Sequence, residues 1–250
     1  MTEFSANLGF LWSDRSLPEA IHAAKSAGFD AVECHWPYDT PASEVRAALD
    51  DTGLAMLGLN TVRGQPGENG LAALPGRTDE ARNAITQAID YADAIDAGAV
   101  HVMAGFASGA AARAAFEDNL RFACGQTDRR ILIEPLNRHD APGYFLTTTD
   151  QARGIIEGLD LPNLSLMFDC YHVGRTEGDI LTRLTDLLPL IGHVQIASVP
   201  DRGPPDRGEL NYPAIYDHLA SLGWAAPLGA EFKPRNNAET LDWIKAVKRG

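Results

Sequence analysis

Short apolar runs alternate with amphipathic helical stretches along this chain, and this alternation limits the fold more than any other feature of the sequence. There are eight strand-like runs and eight helix-like runs. Such alternation predicts parallel strands joined by helical crossovers, and eight of these units can close into a barrel. An open doubly wound sheet would usually carry a glycine-rich turn after its first strand, and FLWSDRS (residues 10–16) is not such a turn. We therefore predict a (β/α)8 TIM barrel.

The barrel prediction applies to residues 1–250 as a single domain. A chain of 250 residues, 45% of them hydrophobic and 22% charged, is long enough for one large core. About 250 residues is also the usual size of such a barrel, and no repeat, low-complexity tract or linker divides the chain. The predicted helices cover residues 17–27, 41–51, 78–96, 109–124, 149–158, 179–188, 212–222 and 238–248. Strands are predicted at residues 4–12, 29–34, 54–60 and 99–104 and in four later segments.

These four later segments each start apolar and end on a residue with an oxygen that can bind a metal. They are ILIEPLNRHD (131–140), LSLMFDCYH (164–172), IGHVQIASVPDR (191–202) and PLGAEFKP (227–234), and the residues concerned are Glu134, Asp169, Gln195 and Glu231. An apolar run of about five residues fits a strand that is buried on both faces, as in a parallel sheet. If the strands are parallel neighbours, the four side chains gather at one carboxyl-terminal rim, where α/β barrels keep their chemistry.

The chemistry of the four side chains predicts a divalent cation. Three carboxylates and one amide are hard oxygen donors, which suit Mg²⁺ or Mn²⁺ better than zinc. A carboxylate that closes a buried strand is costly unless something compensates its charge. Each one alone could pair with a nearby Arg or Lys, but three that converge would repel one another strongly without a cation. We therefore predict that Glu134, Asp169, Gln195 and Glu231 bind Mg²⁺ or Mn²⁺.

Four further residues lie close enough in sequence to these ligands to contact a substrate. His172 follows Asp169 by three positions, Arg202 lies in the loop after Gln195, Lys233 follows Glu231 by two, and Asp140 lies six residues past Glu134. The alternatives are a hydrogen-bonded structural histidine and solvated loop charges. On an extended strand Lys233 would point the same way as Glu231. Polar residues near other strand ends are interpreted as structural: Glu33, His35, Trp36 and His101.

The overall charge, the cysteines and the lack of a long apolar segment limit which partners, cross-links and metal sites are expected. A formal net charge of −13 argues against nucleic acid, because such binding depends on Lys and Arg releasing counterions. Cys34, Cys124 and Cys170 show no paired spacing, so neither a disulfide framework nor a thiolate metal site is predicted. No signal peptide pattern and no run of roughly 18 apolar residues is seen. We expect a cytoplasmic protein with a small-molecule partner and no membrane partner, and a homo-oligomer stays open.

The metal-binding segments also carry a family resemblance. ILIEPLN, MFDCYH, HVQIASVPDRGPPDRGELNYP and GAEFKP closely resemble hydroxypyruvate isomerase and its near relatives, within the xylose-isomerase-like barrel superfamily. Weaker similarities, VECHWPYDTPASEV and GLAALPGR, extend the resemblance over nearly the whole chain. The resemblance implies that Glu134, Asp169, Gln195 and Glu231 bind the metal and that the two glutamates form an acid/base pair. It also implies that three residues contact substrate oxygens: His172, Arg202 and Asp140.

The resemblance implies a reaction as well as a site. We expect an aldose–ketose type isomerase that interconverts hydroxypyruvate and tartronate semialdehyde through an enediol or enediolate, although a metal-assisted hydride shift would use much the same residues. A 2-oxo-tetronate isomerase or a ketose 3-epimerase would differ only in pocket length. A metal-dependent phosphodiesterase of the endonuclease IV type would need several zinc-binding histidines and a basic face. A non-catalytic sugar-acid-binding protein is the remaining alternative.

Overall fold

The strands of this protein form one parallel sheet, as seen in a computed structural model that describes residues 2–234 and 241–249. The strands are β1 (Phe4–Asn7), β2 (Ala31–Glu33), β3 (Ala55–Met56), β4 (Leu59–Asn60), β5 (Ala99–His101), β6 (Arg130–Ile133), β7 (Leu164–Asp169), β8 (Ile191–Ile196) and β9 (Leu228–Ala230). Their order in the sheet is β3-β2-β1-β9-β8-β7-β6-β5-β4. All sequential strands except β3 and β4 are therefore neighbours, as is usual for parallel strands joined by helical crossovers.

The two ends of this sheet belong to a single segment, which closes the barrel. The sequence predicts one strand over residues 54–60, but the structure divides it into β3, which pairs with β2, and β4, which pairs with β5. Gly58 lies at the break, and a glycine interrupts a strand readily because it has no side chain to pack. The sheet therefore has nine strands in eight barrel positions, and the predicted TIM barrel fold is confirmed.

Helices follow the strands around the barrel. They are α1 (Leu17–Ser26), α2 (Ala42–Thr52), α3 (Thr78–Ile95), α4 (Gly109–Gln126), α5 (Thr149–Leu159), α6 (Cys170–Thr176), α7 (Ile180–Leu187), α8 (Tyr212–Ser221) and α9 (Asp242–Arg249). The predicted helix over residues 238–248 corresponds to α9, and its first residues, 238–240, lie outside the described residues. No helix that the structure describes is long and apolar enough to cross a membrane.

Helix α6 is not predicted from the sequence. It begins directly after β7, with no turn residues between the two elements, because Asp169 caps it. The carboxylate of Asp169 accepts a hydrogen bond of 2.8 Å from the backbone N–H of Tyr171. Such a bond satisfies one of the donors that the first turn of a helix leaves unpaired. The same residue thus ends a strand and starts a helix.

The helices cover the barrel with small and aliphatic side chains. In α3 the buried residues recur every three or four positions and are mostly alanine and isoleucine: Ala81, Ala84, Ile85, Ala88, Ile89, Ala92 and Ile95. This spacing places them on one helix face, and the small side chains let the helix lie close to the strands. The strand residues on the face opposite the barrel interior are equally apolar and fully buried, among them Phe4, Ala6, Ile131, Ile133, Phe168 and Val194, and Phe4 packs edge-on against Tyr216 of α8 and Trp243 of α9.

The carboxyl ends of the strands interrupt this apolar pattern with polar residues at all eight barrel positions. In chain order they are Asn7, Glu33, Asn60, His101, Glu134, Asp169, Gln195 and Glu231. All of them except Asn60 are buried. Burying so many polar groups is unfavourable unless each is hydrogen-bonded or binds a ligand. This rim is therefore where a functional site is expected.

Candidate active site

The structure places the four predicted metal ligands on consecutive strands of this rim, where possible ligand atoms of Glu134 and Asp169 lie, with one of His172, within 4.8 Å of one another. Glu134 follows β6 directly, Asp169 is the last residue of β7, and Glu231 follows β9. Gln195 lies in β8, in register with Asp169 on the neighbouring strand. All four residues are buried, with at most 6% of their surface exposed.

One arginine and one histidine lie among the carboxylates of this cluster. The Nη2 atom of Arg202 lies 2.9 Å from Oε2 of Glu231 and 3.5 Å from Oδ2 of Asp169. The Nε2 atom of His172 lies 3.6 Å from Oδ2 of Asp169 and 3.8 Å from Oε1 of Glu134. Asp169 therefore stands at the centre, with one glutamate on each side.

Each of the four predicted ligands keeps one buried oxygen for which the described residues provide no hydrogen bond. These atoms are Oε1 of Glu134, Oδ2 of Asp169, Oε1 of Gln195 and Oε2 of Glu231. The Glu231 oxygen is close to Arg202, but the geometry of that contact is that of an ion pair only. An unpaired buried acceptor costs about 1–3 kcal/mol. Four hard oxygens left free by four neighbouring residues fit the donor set that Mg²⁺ or Mn²⁺ prefers.

The pKa shifts of the three carboxyl groups in the cluster also favour a bound cation. Burial, together with the charges of Glu231 and Asp169, raises the pKa of Glu134 well above its usual range. Burial likewise raises the pKa of Asp169, although Arg202 opposes it. For Glu231, burial is outweighed by Arg202 and by a hydrogen bond with His35, so its pKa is lowered. One guanidinium therefore does not balance three buried carboxyl groups, and a cation would remove the remaining repulsion.

His172 is close enough to Glu134 and Asp169 to be considered as a metal ligand with them. Its hydrogen bonds argue against that role, because the backbone N–H of Asn137 donates to its Nδ1 atom at 2.9 Å. Burial and Arg202 lower the pKa of His172 to about 3, so the ring is neutral. A neutral ring that accepts at Nδ1 carries its proton on Nε2. Nε2 therefore faces the cluster as a hydrogen-bond donor and has no lone pair for a cation.

Arg202 is held in place by its backbone as well as by its charge. Its side chain is only 13% exposed, so it is not a solvated loop residue. Its backbone has a φ of 54°, in the left-handed region that non-glycine residues rarely adopt. Its N–H donates to the carbonyl of Ser198, and its carbonyl accepts from the N–H of Lys233. The guanidinium lies over the rings of Phe10 and Tyr171, at 4.9 and 5.1 Å, and its buried Nε has no acceptor among the described residues.

Asp140 and Lys233 lie farther out. Asp140 is exposed at the rim, where its Oδ2 accepts hydrogen bonds from the hydroxyl of Tyr171 at 2.6 Å and from Nδ2 of Asn137 at 3.1 Å. Lys233 is exposed, and the structure shows no ion pair between it and another described residue. The expected alternation with Glu231 does not hold, because β9 ends at Ala230 and the chain is no longer extended in the sheet.

Several residues that the sequence analysis treated as structural belong to this cluster. Nε2 of His35 lies 2.9 Å from Oε1 of Glu231, and Nδ1 of His101 lies 3.7 Å from Oε2 of Glu134. Gly9 leaves room for His35, because a Cβ atom at Gly9 would lie 2.0 Å from Nδ1 of that ring. Glu33 contacts Gln195 from the other side. The rule used to predict the ligands, a polar residue that closes a buried strand, also applies to Glu33 and His101.

The arrangement suits proton transfer at a small molecule. Glu134 and Glu231 approach from opposite ends of the four-strand run β6–β9, with Asp169 and Gln195 between them. Two carboxyl groups placed on either side of a bound cation can remove a proton and return it at a neighbouring atom. Arg202 adds a buried positive charge, and its Nε atom has no hydrogen-bond acceptor among the described residues.

Comparisons with known proteins give a consistent family. A family model described as a xylose isomerase-like TIM barrel matches residues 21–247. The 2-oxo-tetronate isomerase of Cupriavidus necator is 40% identical over 255 residues, covering 98% of this chain and 98% of that protein. The hydroxypyruvate isomerase of Escherichia coli is 34% identical over 255 residues, with the same coverage of both. The solved structure of an AP endonuclease, family 2, from Brucella melitensis superposes with a TM-score of 0.94 at 35% identity, covering 98% of this chain and 99% of that one.

Proposed function

This chain belongs to the xylose isomerase-like TIM barrel family and is an isomerase, and we propose that its substrate is a short hydroxy acid with a carbonyl group next to the carboxylate. Our first choice is the interconversion of hydroxypyruvate and tartronate semialdehyde. The four-carbon acid 2-oxo-tetronate is the alternative, because the Cupriavidus necator relative carries that name. Both acids place a hydroxyl-bearing carbon beside a ketone.

One observation carries this proposal. Among the described residues, one buried oxygen on each of the four proposed ligands and the Nε atom of the adjacent buried Arg202 lack a hydrogen-bond partner. The oxygens fit a divalent cation, and the arginine fits a carboxylate. A substrate with adjacent oxygens and a carboxylate would satisfy both. A neutral sugar would leave the Arg202 Nε without an anionic partner.

The residues of the chain would move protons between two carbons and two oxygens. In hydroxypyruvate, one carboxylate of the pair Glu134 and Glu231 removes a proton from C3, and a proton is delivered to C2. At the oxygens, O3 loses its hydroxyl proton and O2 gains one. His172 donates a hydrogen bond from Nε2 to a substrate oxygen, and Arg202 holds the substrate carboxylate. A divalent cation bound by Glu134, Asp169, Gln195 and Glu231 would stabilise the negative charge that develops on the substrate oxygens.

A nuclease is the rival that the Brucella melitensis relative suggests. Phosphodiesterases of that kind depend on zinc-binding histidines and on a basic surface for DNA. Here the donor set is three carboxylates and an amide, the neighbouring His172 presents a proton to the cluster, and the chain has a formal net charge of −13. These features favour a small acid over DNA.

A substrate panel tests the proposal directly. The full chain is assayed with Mn²⁺ on hydroxypyruvate, 2-oxo-tetronate, a free ketose and a duplex that contains an abasic site. We expect kcat/KM to be highest for one of the two acids. A higher value for the free ketose, or cleavage of the duplex without isomerisation of either acid, would overturn the proposal.

Arg202 provides a second test, because it is the residue proposed to bind the substrate carboxylate. We expect Arg202→Ala to lower kcat/KM for hydroxypyruvate by the equivalent of about 2–4 kcal/mol, the range for loss of one partner of a desolvated charge pair. Arg202→Lys should recover only part of this, since an ammonium cannot reproduce two parallel hydrogen bonds from a planar guanidinium.

Arg207 offers a matched control for that experiment. It lies in the same loop, but its side chain is 54% exposed and its nearest carboxylate is that of the adjacent Asp206 at 3.9 Å. Arg207→Ala should change kcat/KM by less than about 0.5 kcal/mol, as an ordinary surface change does. If Arg202→Ala behaves like Arg207→Ala, the carboxylate is bound elsewhere and a neutral sugar becomes the better substrate.

A further inference from the structure

The side-chain amide of Gln195 has two branches with different surroundings. Its Nε2 atom donates a hydrogen bond of 2.8 Å to Oε1 of Glu33. Its Oε1 atom is buried and has no hydrogen-bond donor among the described residues. A glutamine amide can turn by 180° and exchange these branches, which would direct the NH2 group toward the cation site and remove one oxygen ligand. Some neighbour must therefore decide which branch faces the cation.

Glu33 is placed to make that decision. It is 4% exposed and belongs to β2, which β1 and β9 separate from the strand of Gln195, β8. Its Oε1 atom also accepts a hydrogen bond of 2.9 Å from Nδ2 of Asn7, and its Oε2 atom lies 2.8 Å from Nε2 of His193. Both carboxylate oxygens therefore face nitrogen donors, and neither can donate in return.

The orientation of this network is anchored by the backbone. The N–H of Gly9 donates to Oδ1 of Asn7 at 3.0 Å, and a backbone N–H cannot act as an acceptor. The amide of Asn7 is thereby fixed with its Nδ2 toward Glu33. Because Nδ2 of Asn7 donates to the Oε1 position of Glu33, the atom at that position must be an acceptor. The same acceptor binds the NH2 group of Gln195 and leaves the amide oxygen of Gln195 facing away.

A glycine leaves the space for these contacts. A Cβ atom at Gly229 of β9 would lie 2.6 Å from Oε2 of Glu33, 2.7 Å from Nε2 of His193 and 2.9 Å from Cγ of Gln195. Real Cβ atoms do not approach other atoms so closely. The absence of a side chain at this position thus lets β2 and β8 exchange hydrogen bonds across β9 and β1, which separate them in the sheet.

We propose that Glu33 is a positioning residue: its carboxylate can only accept hydrogen bonds, and it therefore fixes the amide of Gln195 with its oxygen directed at the cation site. This inference rests on the proposed function, because it assumes that Gln195 binds the cation. It assigns a role to a residue outside the proposed set of metal ligands. Partners that orient a metal ligand in this way typically change metal affinity by about 10- to 100-fold when they are lost.

The test measures the Kd of Mn²⁺ by isothermal titration calorimetry on the full chain without substrate. Glu33→Met keeps an unbranched side chain of similar length but removes both acceptors, so it should raise the Kd of Mn²⁺ about 10- to 100-fold. Glu33→Gln should bind Mn²⁺ nearly as the wild type does. The fixed Asn7 amide holds the oxygen of the substituted side chain at the position of the original Oε1, and His193 can move its proton to Nδ1 to accept from the new NH2 group.

This pattern separates orientation from charge. If the negative charge of Glu33 were what mattered, Glu33→Gln and Glu33→Met would weaken Mn²⁺ binding equally, and that result would overturn the proposal. An unchanged Kd in Glu33→Met would overturn it too. If the wild type itself binds no Mn²⁺, the cation site of the proposed function is wrong. That result differs from a failure of the Glu33 proposal, in which the wild type binds Mn²⁺ and the variants do not show the expected pattern.

A double-mutant cycle keeps the test valid if Glu33→Met does not fold. Asn7→Ala alone leaves both oxygens of Glu33 as acceptors, so Mn²⁺ binding should change little. When Asn7→Ala is combined with Glu33→Gln, the amide introduced at position 33 is free to turn and to present its NH2 group to Gln195. The double variant should therefore bind Mn²⁺ about 10- to 100-fold more weakly. Additive effects of the two changes would contradict the proposed chain of hydrogen bonds.

Glu177→Gln serves as the matched control. The side chain of Glu177 is also only 7% exposed, but its carboxylate accepts from Thr149 and lies 2.9 Å from Nη1 of Arg183, outside the cluster. The substitution should lower the free energy of unfolding and leave the Kd of Mn²⁺ unchanged. A similar loss of Mn²⁺ binding in Glu177→Gln would mean that general destabilisation, and not orientation of Gln195, explains the result.

Discussion

Removal of divalent cations is expected to abolish turnover, and addition of Mg²⁺ or Mn²⁺ is expected to restore it. The physical reason is the cluster of Glu134, Asp169 and Glu231, three buried carboxyl groups that only one guanidinium balances. One buried oxygen of each carboxyl group, and one of Gln195, receives no hydrogen bond from the residues that the structure describes. Activity is measured after treatment with a chelator, after removal of the chelator, and after titration with each metal.

Asp169→Asn gives the matching change in the protein. Asparagine keeps an oxygen that can accept from the N–H of Tyr171 and so preserves the cap of α6, which Asp169→Ala would remove at about 1 kcal/mol. The substitution replaces the oxygen that faces the cluster with an NH2 group. We expect weaker Mn²⁺ binding with the barrel still folded. Full turnover by a sample shown to be free of metal would remove the cation from the mechanism.

The second large effect is expected at the two glutamates. Glu134→Gln and Glu231→Gln should each lower kcat at least about a hundredfold, the lower end for loss of a positioned acid or base. Both residues are also proposed ligands, so the assay is run at saturating Mn²⁺ to separate proton transfer from metal affinity. In D₂O, the variants should also incorporate less deuterium into the substrate carbon than the wild type.

Glu209→Gln is the control for this pair. Glu209 is an exposed carboxylate in the loop after β8, and its side chain contacts none of the proposed ligands among the described residues. This variant should keep the wild-type kcat. If either site variant retains more than about a tenth of the wild-type kcat at saturating Mn²⁺, that glutamate is not part of the acid/base pair.

The sequence could predict a candidate site because the proposed ligands follow a local rule. Glu134, Asp169 and Glu231 each close an apolar run, and parallel strands in a barrel carry such residues to one rim whatever the details of packing. His172 and Arg202 could be found because they lie within a few residues of a ligand. Lys233 was placed by the same logic, but the strand ends before it, and its side chain is exposed.

Contacts between distant strands could not be found in this way. Glu33 and His193, which form a hydrogen bond, are 160 residues apart, and His35 and Glu231 are 196 residues apart. Whether such residues meet depends on strand order, on register and on the space that Gly9 and Gly229 leave. A polar residue at a strand end in the first half of the chain therefore looked structural until its partner was seen.

By itself, the sequence determined the barrel and the residues at its rim, because apolar periodicity and turn residues act over short distances along the chain. Only the tertiary structure decided that the third strand splits at Gly58 and that α6 starts at Asp169. It also decided which nitrogen of His172 faces the cluster and which branch of the Gln195 amide does. Those choices are set by hydrogen bonds between elements far apart in sequence, and a hydrogen bond requires distances and angles that only the folded chain supplies.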